Sequence, residues 1–212
     1  MALRLTPVLR RAARALEDVD LIKVLRSEIN HELSSPSSFQ DNSAGSPGDF
    51  AVDWDSTESQ DVVLRRKLGS GEEVAVSALL GEILPETPSR PTYPREILMK
   101  VCLTKPGLSS VLQFDCRAQE NSPFLISSAH FLRSAEHQSP SSYRGPLFST
   151  LDPDLQNALE EYLAERGVDQ LLVNYLLHHL HTKEQGQYVS WLQKLEAMVG
   201  QTADAAAEKQ QV

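Results

Sequence analysis

An α+β fold is predicted: one helix, then about seven consecutive strands, then two or three closing helices. Three observations predict it. Apolar residues over 16–33 recur at helical spacing, the period changes to two from Phe50, and helical spacing returns after Asp152. Consecutive strands with short turns imply an antiparallel meander whose apolar face the terminal helices cover.

In chain order, residues 1–16 hold Arg4, Arg10, Arg11 and Arg14 and no acid. Such an Arg-bearing, acid-free start before an acidic body has the character of an organelle transit segment, mitochondrial in type. The same residues also read as the first turns of the first helix. A single domain is expected over 17–200, with a flexible tail over 201–212. Over 16–33, Leu21, Ile22, Leu25, Ile29 and Leu33 keep helical spacing, and the length suits antiparallel pairing with a helix over 183–199. Residues 34–48, rich in Ser, Pro and Gly, read as a loop.

Strands are expected over 50–55, 61–68, 73–80, 96–104, 110–116, 124–133 and 145–149. In the third, Val74, Val76, Ala78 and Leu80 share one face. Pro85, Pro88, Pro91 and Pro94 keep 81–95 out of a ladder, and 134–142 form another loop. Asp152-Pro153 then opens a helix carrying Leu155, Ala158, Leu159, Tyr162 and Leu163, and Gly167 stops it. Asp169 caps the next helix, with Leu171, Leu172, Tyr175, Leu176 and Leu180. Thr182 with Gln185 has the form of a capping box, so a bend or restart is expected near 182. Tyr188, Trp191, Leu192, Leu195, Met198 and Val199 continue the stripe, with Tyr188, Trp191 and Leu192 placed between the sheet and the first helix.

The 212 residues are 41% hydrophobic and 23% charged, ordinary for a globular protein, with a formal charge of −9. That charge argues against direct nucleic-acid binding and favours cationic partners. No apolar run approaches the ~20 residues of a membrane span. Residues 17–61 hold eleven acids and two bases. Asp49, Asp53, Asp55, Glu58 and Asp61 are therefore the candidate binding residues for basic protein segments. EF-hand spacing is absent there, and a charge run is commonly a solvated loop.

Two cysteines, Cys102 and Cys116, make no disulfide framework and no zinc spacing. Cys116 shares a strand face with Leu112 and Phe114 and reads as a packing residue. His178 and His181 share a helix face, but no acid or cysteine is arranged with them; they and His179 read as solvated helix-end residues. A small-molecule enzyme using Cys116 or the His178/His181 group is the alternative, as is a purely structural scaffold. No nucleophile elbow, phosphate loop or dinucleotide fingerprint occurs, and no metal or cofactor is expected.

Several segments are distinctive: Tyr143-Arg144-Gly145-Pro146, Leu151-Asp152-Pro153-Asp154-Leu155-Gln156, Glu161-Tyr162-Leu163-Ala164-Glu165-Arg166-Gly167-Val168, and Lys183-Glu184-Gln185-Gly186-Gln187-Tyr188-Val189-Ser190-Trp191-Leu192. With them the chain resembles the mitochondrial glycoprotein (mitochondrial acidic matrix protein) family from about Leu21 to Val199. The resemblance implies a twisted seven-stranded antiparallel sheet with one N-terminal and two C-terminal helices, in a doughnut-like homotrimer. It implies a non-enzymatic, chaperone-like protein-binding module of the mitochondrial matrix, supporting translation, ribosomes or oxidative phosphorylation. Implied partners are the chain itself and basic segments, among them mitochondrial ribosomal or respiratory assembly proteins. Other members carry dense acidic runs after the third and fifth strands. Here those loops hold only Glu82, Glu86 and Glu120, with Glu96 just beyond the first.

Overall fold

A computed structural model describes residues 7–34, 46–83, 93–120, 122, 124–133 and 143–208. The expected loops over 34–48, 81–95 and 134–142, the start of the transit segment and the last residues of the tail lie largely outside these. The described residues form α1 (Pro7–Ser34), β1 (Ala51–Asp55), β2 (Val62–Lys67), β3 (Glu73–Ile83), β4 (Arg95–Thr104), β5 (Val111–Ala118), β6 (Leu125–Leu132), a 3-10 turn (Phe148–Thr150), α2 (Pro153–Ala164) and α3 (Gln170–Glu208). Contacts divide the chain into two compact units, Met1–Gln40 with Glu184–Val212, and Asp41–Lys183.

In the larger unit the six strands form an antiparallel meander in sequence order. Period-two alternation sends Val62, Leu64, Val74, Val76, Ala78, Ile97, Met99, Val101 and Phe114 to one face, where they are buried. Leu163 of α2, Val168, and Leu172, Val173, Leu176, Leu177 and Leu180 of α3 close over them. Each such buried aliphatic side chain contributes about 1.5–3 kcal/mol.

The seventh strand expected over 145–149 is absent. Gly145 has φ +89° and Pro146 has no N–H, so only one bridge, Ser128 to Leu147, forms beside β6. The chain then tightens into the 3-10 turn, with the Thr150 N–H on the Leu147 carbonyl at 3.0 Å and the Leu151 N–H on the Phe148 carbonyl at 3.1 Å.

Asp152 caps α2 through the Asp154 N–H (2.9 Å), and Asp169 caps α3 through the N–H groups of Leu171 and Leu172. Between the helices, Gly167 sits at φ +82°, with its N–H on the Ala164 carbonyl and that of Val168 on the Leu163 carbonyl. Arg166 and Glu72 form a buried clamp beside this turn. The guanidinium donates to both carboxylate oxygens at 3.3 and 3.1 Å and to the Tyr162 carbonyl at 2.8 Å, and it stacks 3.4 Å from the Tyr162 ring centroid. The Tyr162 hydroxyl also donates to Glu72 (3.0 Å). Burial pushes the Glu72 carboxyl up, but the hydrogen bonds from Arg166 and Tyr162 and the Arg166 charge outweigh it and hold it below its ordinary value. The Glu-Arg-Gly-Val motif thus ties the end of α2 to the β2–β3 turn.

The helix does not restart at 182: α3 runs unbroken through it, because nothing there removes an N–H and the carbonyls four residues back remain available as partners. α3 also runs to Glu208, into the stretch expected as a tail, and α1 begins at Pro7 rather than 16.

In the smaller unit Leu25 and Ile29 of α1 bury Leu192 of α3, with Leu195 alongside. The pairs Arg26–Glu196 and Glu28–Tyr188 run in opposite chain directions, as the antiparallel pairing requires. Tyr188 and Trp191 are not core residues as expected. Trp191 is 54% exposed, and the two rings stack on each other at 6.0 Å. The apolar seam with α1 closes on Leu192 and Leu195; Tyr188, one turn before Leu192, reaches α1 through its hydroxyl, while Trp191, one position away, falls outside the seam.

Candidate functional site

The five candidate acids lie on β1, the outer strand of the meander, and on its flanks. All β1 residues are exposed. Asp49, just before the strand, pairs with Arg66 at 2.7 Å while staying largely open. Asp53 accepts from Arg65 Nε (3.1 Å) and Nη2 (2.8 Å), and Nη1 of the same guanidinium reaches Glu73. Hydrogen bonds to Asp53 and Glu73 hold that guanidinium above its ordinary pKa. Trp54 lies between Asp53 and Asp55, half exposed, its indole N–H on Ser59 Oγ at 3.3 Å. Glu58 is exposed in the β1–β2 turn, its backbone N–H on Ser56 Oγ.

Asp55 sits deeper. His179 Nε2 (2.8 Å) and Lys183 Nζ (2.6 Å) both reach its carboxylate, and Lys183 also donates to the Asp61 carbonyl (2.7 Å). Burial raises the Asp55 pKa, but the hydrogen bonds and charges of Lys183 and His179 prevail and hold it below its ordinary value. Asp49, Asp53 and Asp55 thus each carry a cation of their own chain. Sequence reasoning found these acids but not their partners: His179 and Lys183 lie 124 and 128 residues away from Asp55. The only signal was their i, i+4 spacing on one helix face.

The histidines do not converge. His181 is buried, not solvated at a helix end: its Nδ1–H donates to the Leu177 carbonyl (2.8 Å) and its ring lies 4.9 Å from that of Tyr93. His178 is half-buried, and His179 serves Asp55. Among the described residues no group of three or more His, Cys, Asp or Glu side chains is placed to hold a metal ion. Cys116 is the packing residue its strand position predicts, 2% exposed, its thiol pushed up to about 12 by burial and then by the Asp115 charge. Such a thiol is not a nucleophile at neutral pH.

One polar cluster escaped sequence reasoning. On the sheet face away from the helix-covered core, His130 Nε2 lies 2.9 Å from Ser128 Oγ and 3.0 Å from Asp115 Oδ2, while Nδ1–H donates to the Arg144 carbonyl. Gln113 and Ser128 also donate to Asp115. Serine and aspartate approach the same ring nitrogen, so this is not a nucleophile–base relay, which needs them on opposite nitrogens. Its role is to fix the 143–147 segment, where a Cβ on Gly145 would come 2.9 Å from the Ala129 carbonyl oxygen. Only strand register places these residues together.

Comparison with known proteins gives concordant results. The sequence profile described as mitochondrial glycoprotein matches residues 25–199. Mitochondrial acidic protein mam33 of Schizosaccharomyces pombe is 31% identical over 103 residues, 44% of this chain and 38% of that protein. The chain therefore spans well under half the length of that relative. An uncharacterised mitochondrial protein of Arabidopsis thaliana is 28% identical over 199 residues, 89% of this chain and 77% of the other. The crystal structure of the Trypanosoma brucei p22 protein superposes with a TM-score of 0.66 at 19% identity, covering 87% of this chain and 99% of that one. A hypothetical Leishmania major protein, described as a sequence homologue of human p32, gives 0.67 at 21% identity, covering 86% and 99%. At these identities the structural likeness establishes the fold.

Proposed function

Because the chain belongs to the mitochondrial glycoprotein family, we propose that it is a non-enzymatic, protein-binding module of the mitochondrial matrix. In this reading it assembles as a homotrimer, binds basic protein segments in a chaperone-like way, and supports mitochondrial translation, ribosome or oxidative-phosphorylation assembly. The supporting observation is the β1 edge. Asp49, Asp53 and Glu58 present exposed carboxylates along this strand and its flanks, which also carry the half-exposed indole of Trp54, on a chain of formal charge −9. Lysine and arginine are attracted both to such carboxylates and to an indole face. Asp55 and Asp61 anchor the edge through Lys183 and serve binding only indirectly.

Self-association is favoured by apolar surface that one chain leaves open, including Phe131 at 66% and Leu147 at 68% exposure. Three copies of the edge in one particle would bind a multivalent basic partner more tightly than one copy. Light scattering measures the mass, and titration with an Arg/Lys-rich peptide at low and high salt measures binding. A trimer mass is expected, with affinity falling steeply with salt and falling again in Asp53→Asn/Glu58→Gln. Salt-independent affinity, or affinity untouched by the substitutions, rules out the β1 edge; a monomer mass rules out the multivalent reading.

A further inference from the structure

A second surface carries exposed cations that no carboxylate engages as an ion pair among the described residues. On the sheet face away from the helix-covered core, a hollow of about 480 Å³ opens across β3–β6. Strand register builds it from two rows: Ser77, Lys100, Asp115 and Ser128 lie side by side, and beside them run Leu79, Leu98 and Arg117. Its size falls within the range of small-molecule sites.

Asp115 is already occupied. It accepts hydrogen bonds from Gln113 and Ser128 and pairs with His130, and it makes no ion pair with Lys100, its register neighbour on β4. Lys100 and Arg117 are exposed, and neither has an ion-pair partner among the described residues. Two cations therefore line the hollow with one anion whose hydrogen bonds are committed elsewhere, while Glu96, the next outward-facing residue of β4, lies beyond Leu98 beside Gly81; the two cationic heads stay open to a ligand. Leu79 and Leu98, each 37% exposed, supply an aliphatic wall beside them.

We infer that this hollow binds a small amphiphilic organic anion. The carboxylate or phosphate head lies against Lys100 and Arg117 with the Ser77 and Ser128 row beside it, and the aliphatic portion covers Leu79 and Leu98. A cationic amphiphile meets the two positive side chains and is rejected. A neutral one gains only the leucine contact.

Isothermal titration of the full chain at low salt with octanoate, octyl phosphate, octanol and octylamine, all below their micellar concentrations, tests the assignment. The two anions are expected to saturate one site per chain, octanol to bind at least tenfold more weakly, and octylamine not to bind. Lys100→Met/Arg117→Met is expected to weaken octanoate at least tenfold, and Lys100→Gln alone severalfold, with unchanged circular dichroism because both side chains are exposed. Comparing octanoate with octyl phosphate distinguishes a carboxylate site from a phosphate site. The inference is overturned if no anion saturates, if octylamine binds as well as octanoate, or if the substitutions leave octanoate affinity unchanged.

Discussion

Replacing Arg166 by alanine removes the cation that compensates Glu72. The carboxylate and guanidinium side chains are only 8% and 13% exposed, and their two hydrogen bonds measure 3.1 and 3.3 Å. Without Arg166, Glu72 keeps only the Tyr162 hydroxyl as a direct side-chain partner among the described residues. Breaking such a pair from one side costs about 3–5 kcal/mol, because a buried charge is left uncompensated. For a chain of this length that lowers the thermal midpoint by about 6–20 °C at fixed protein concentration. Glu72→Ala is expected to cost a similar amount, whereas Glu72→Ala/Arg166→Ala costs well below the sum, since no orphaned charge remains.

The pH dependence follows from the same pair. The folded Glu72 carboxyl titrates below its ordinary value of 4.5. Its contribution is therefore fully present above that value and is lost as pH falls through the lower, folded one. Urea unfolding from pH 3 to 7 reads both effects, and Arg166→Ala is expected to flatten the acid limb. A loss under about 1 kcal/mol at neutral pH, or a double variant equal to the sum of the singles, refutes the clamp.

Two further outcomes follow. Gly167→Ala places a Cβ at φ +82°, 3.3 Å from Phe50 Cε2 and overlapping the Arg66 guanidinium. It is expected to cost about 1–2 kcal/mol from the backbone alone, with loss of the Arg66–Asp49 pair, measured by urea unfolding of G167A against Asp49→Asn. In the native protein a maleimide is expected to label half-buried Cys102 before Cys116, whose thiol is pushed up to about 12; in urea both react alike, and equal native rates count against a packed Cys116.

The order of elements and most of their faces were legible in the residues alone. Alternation along 73–80 fixes which β3 residues are buried, because a strand has only two sides. Asp152-Pro153, Gly167 and Asp169 fix helix ends through local hydrogen bonds and backbone conformation. Family membership was legible for the same reason, since its motifs lie at such local junctions. The remaining features depend on partners distant in the chain. Residues 145–149 carry strand-like apolar positions, yet Gly145 and Pro146 limit their ladder pairing with β6 to one bridge. Trp191 belongs to an apolar stripe, yet the seam with α1 closes on Leu192. The candidate acids were legible as charge, but their value to a partner depends on the distance to Arg65, Arg66, His179 and Lys183. Composition counts charges, whereas Coulomb interaction depends on separation and burial. Only the folded chain sets those.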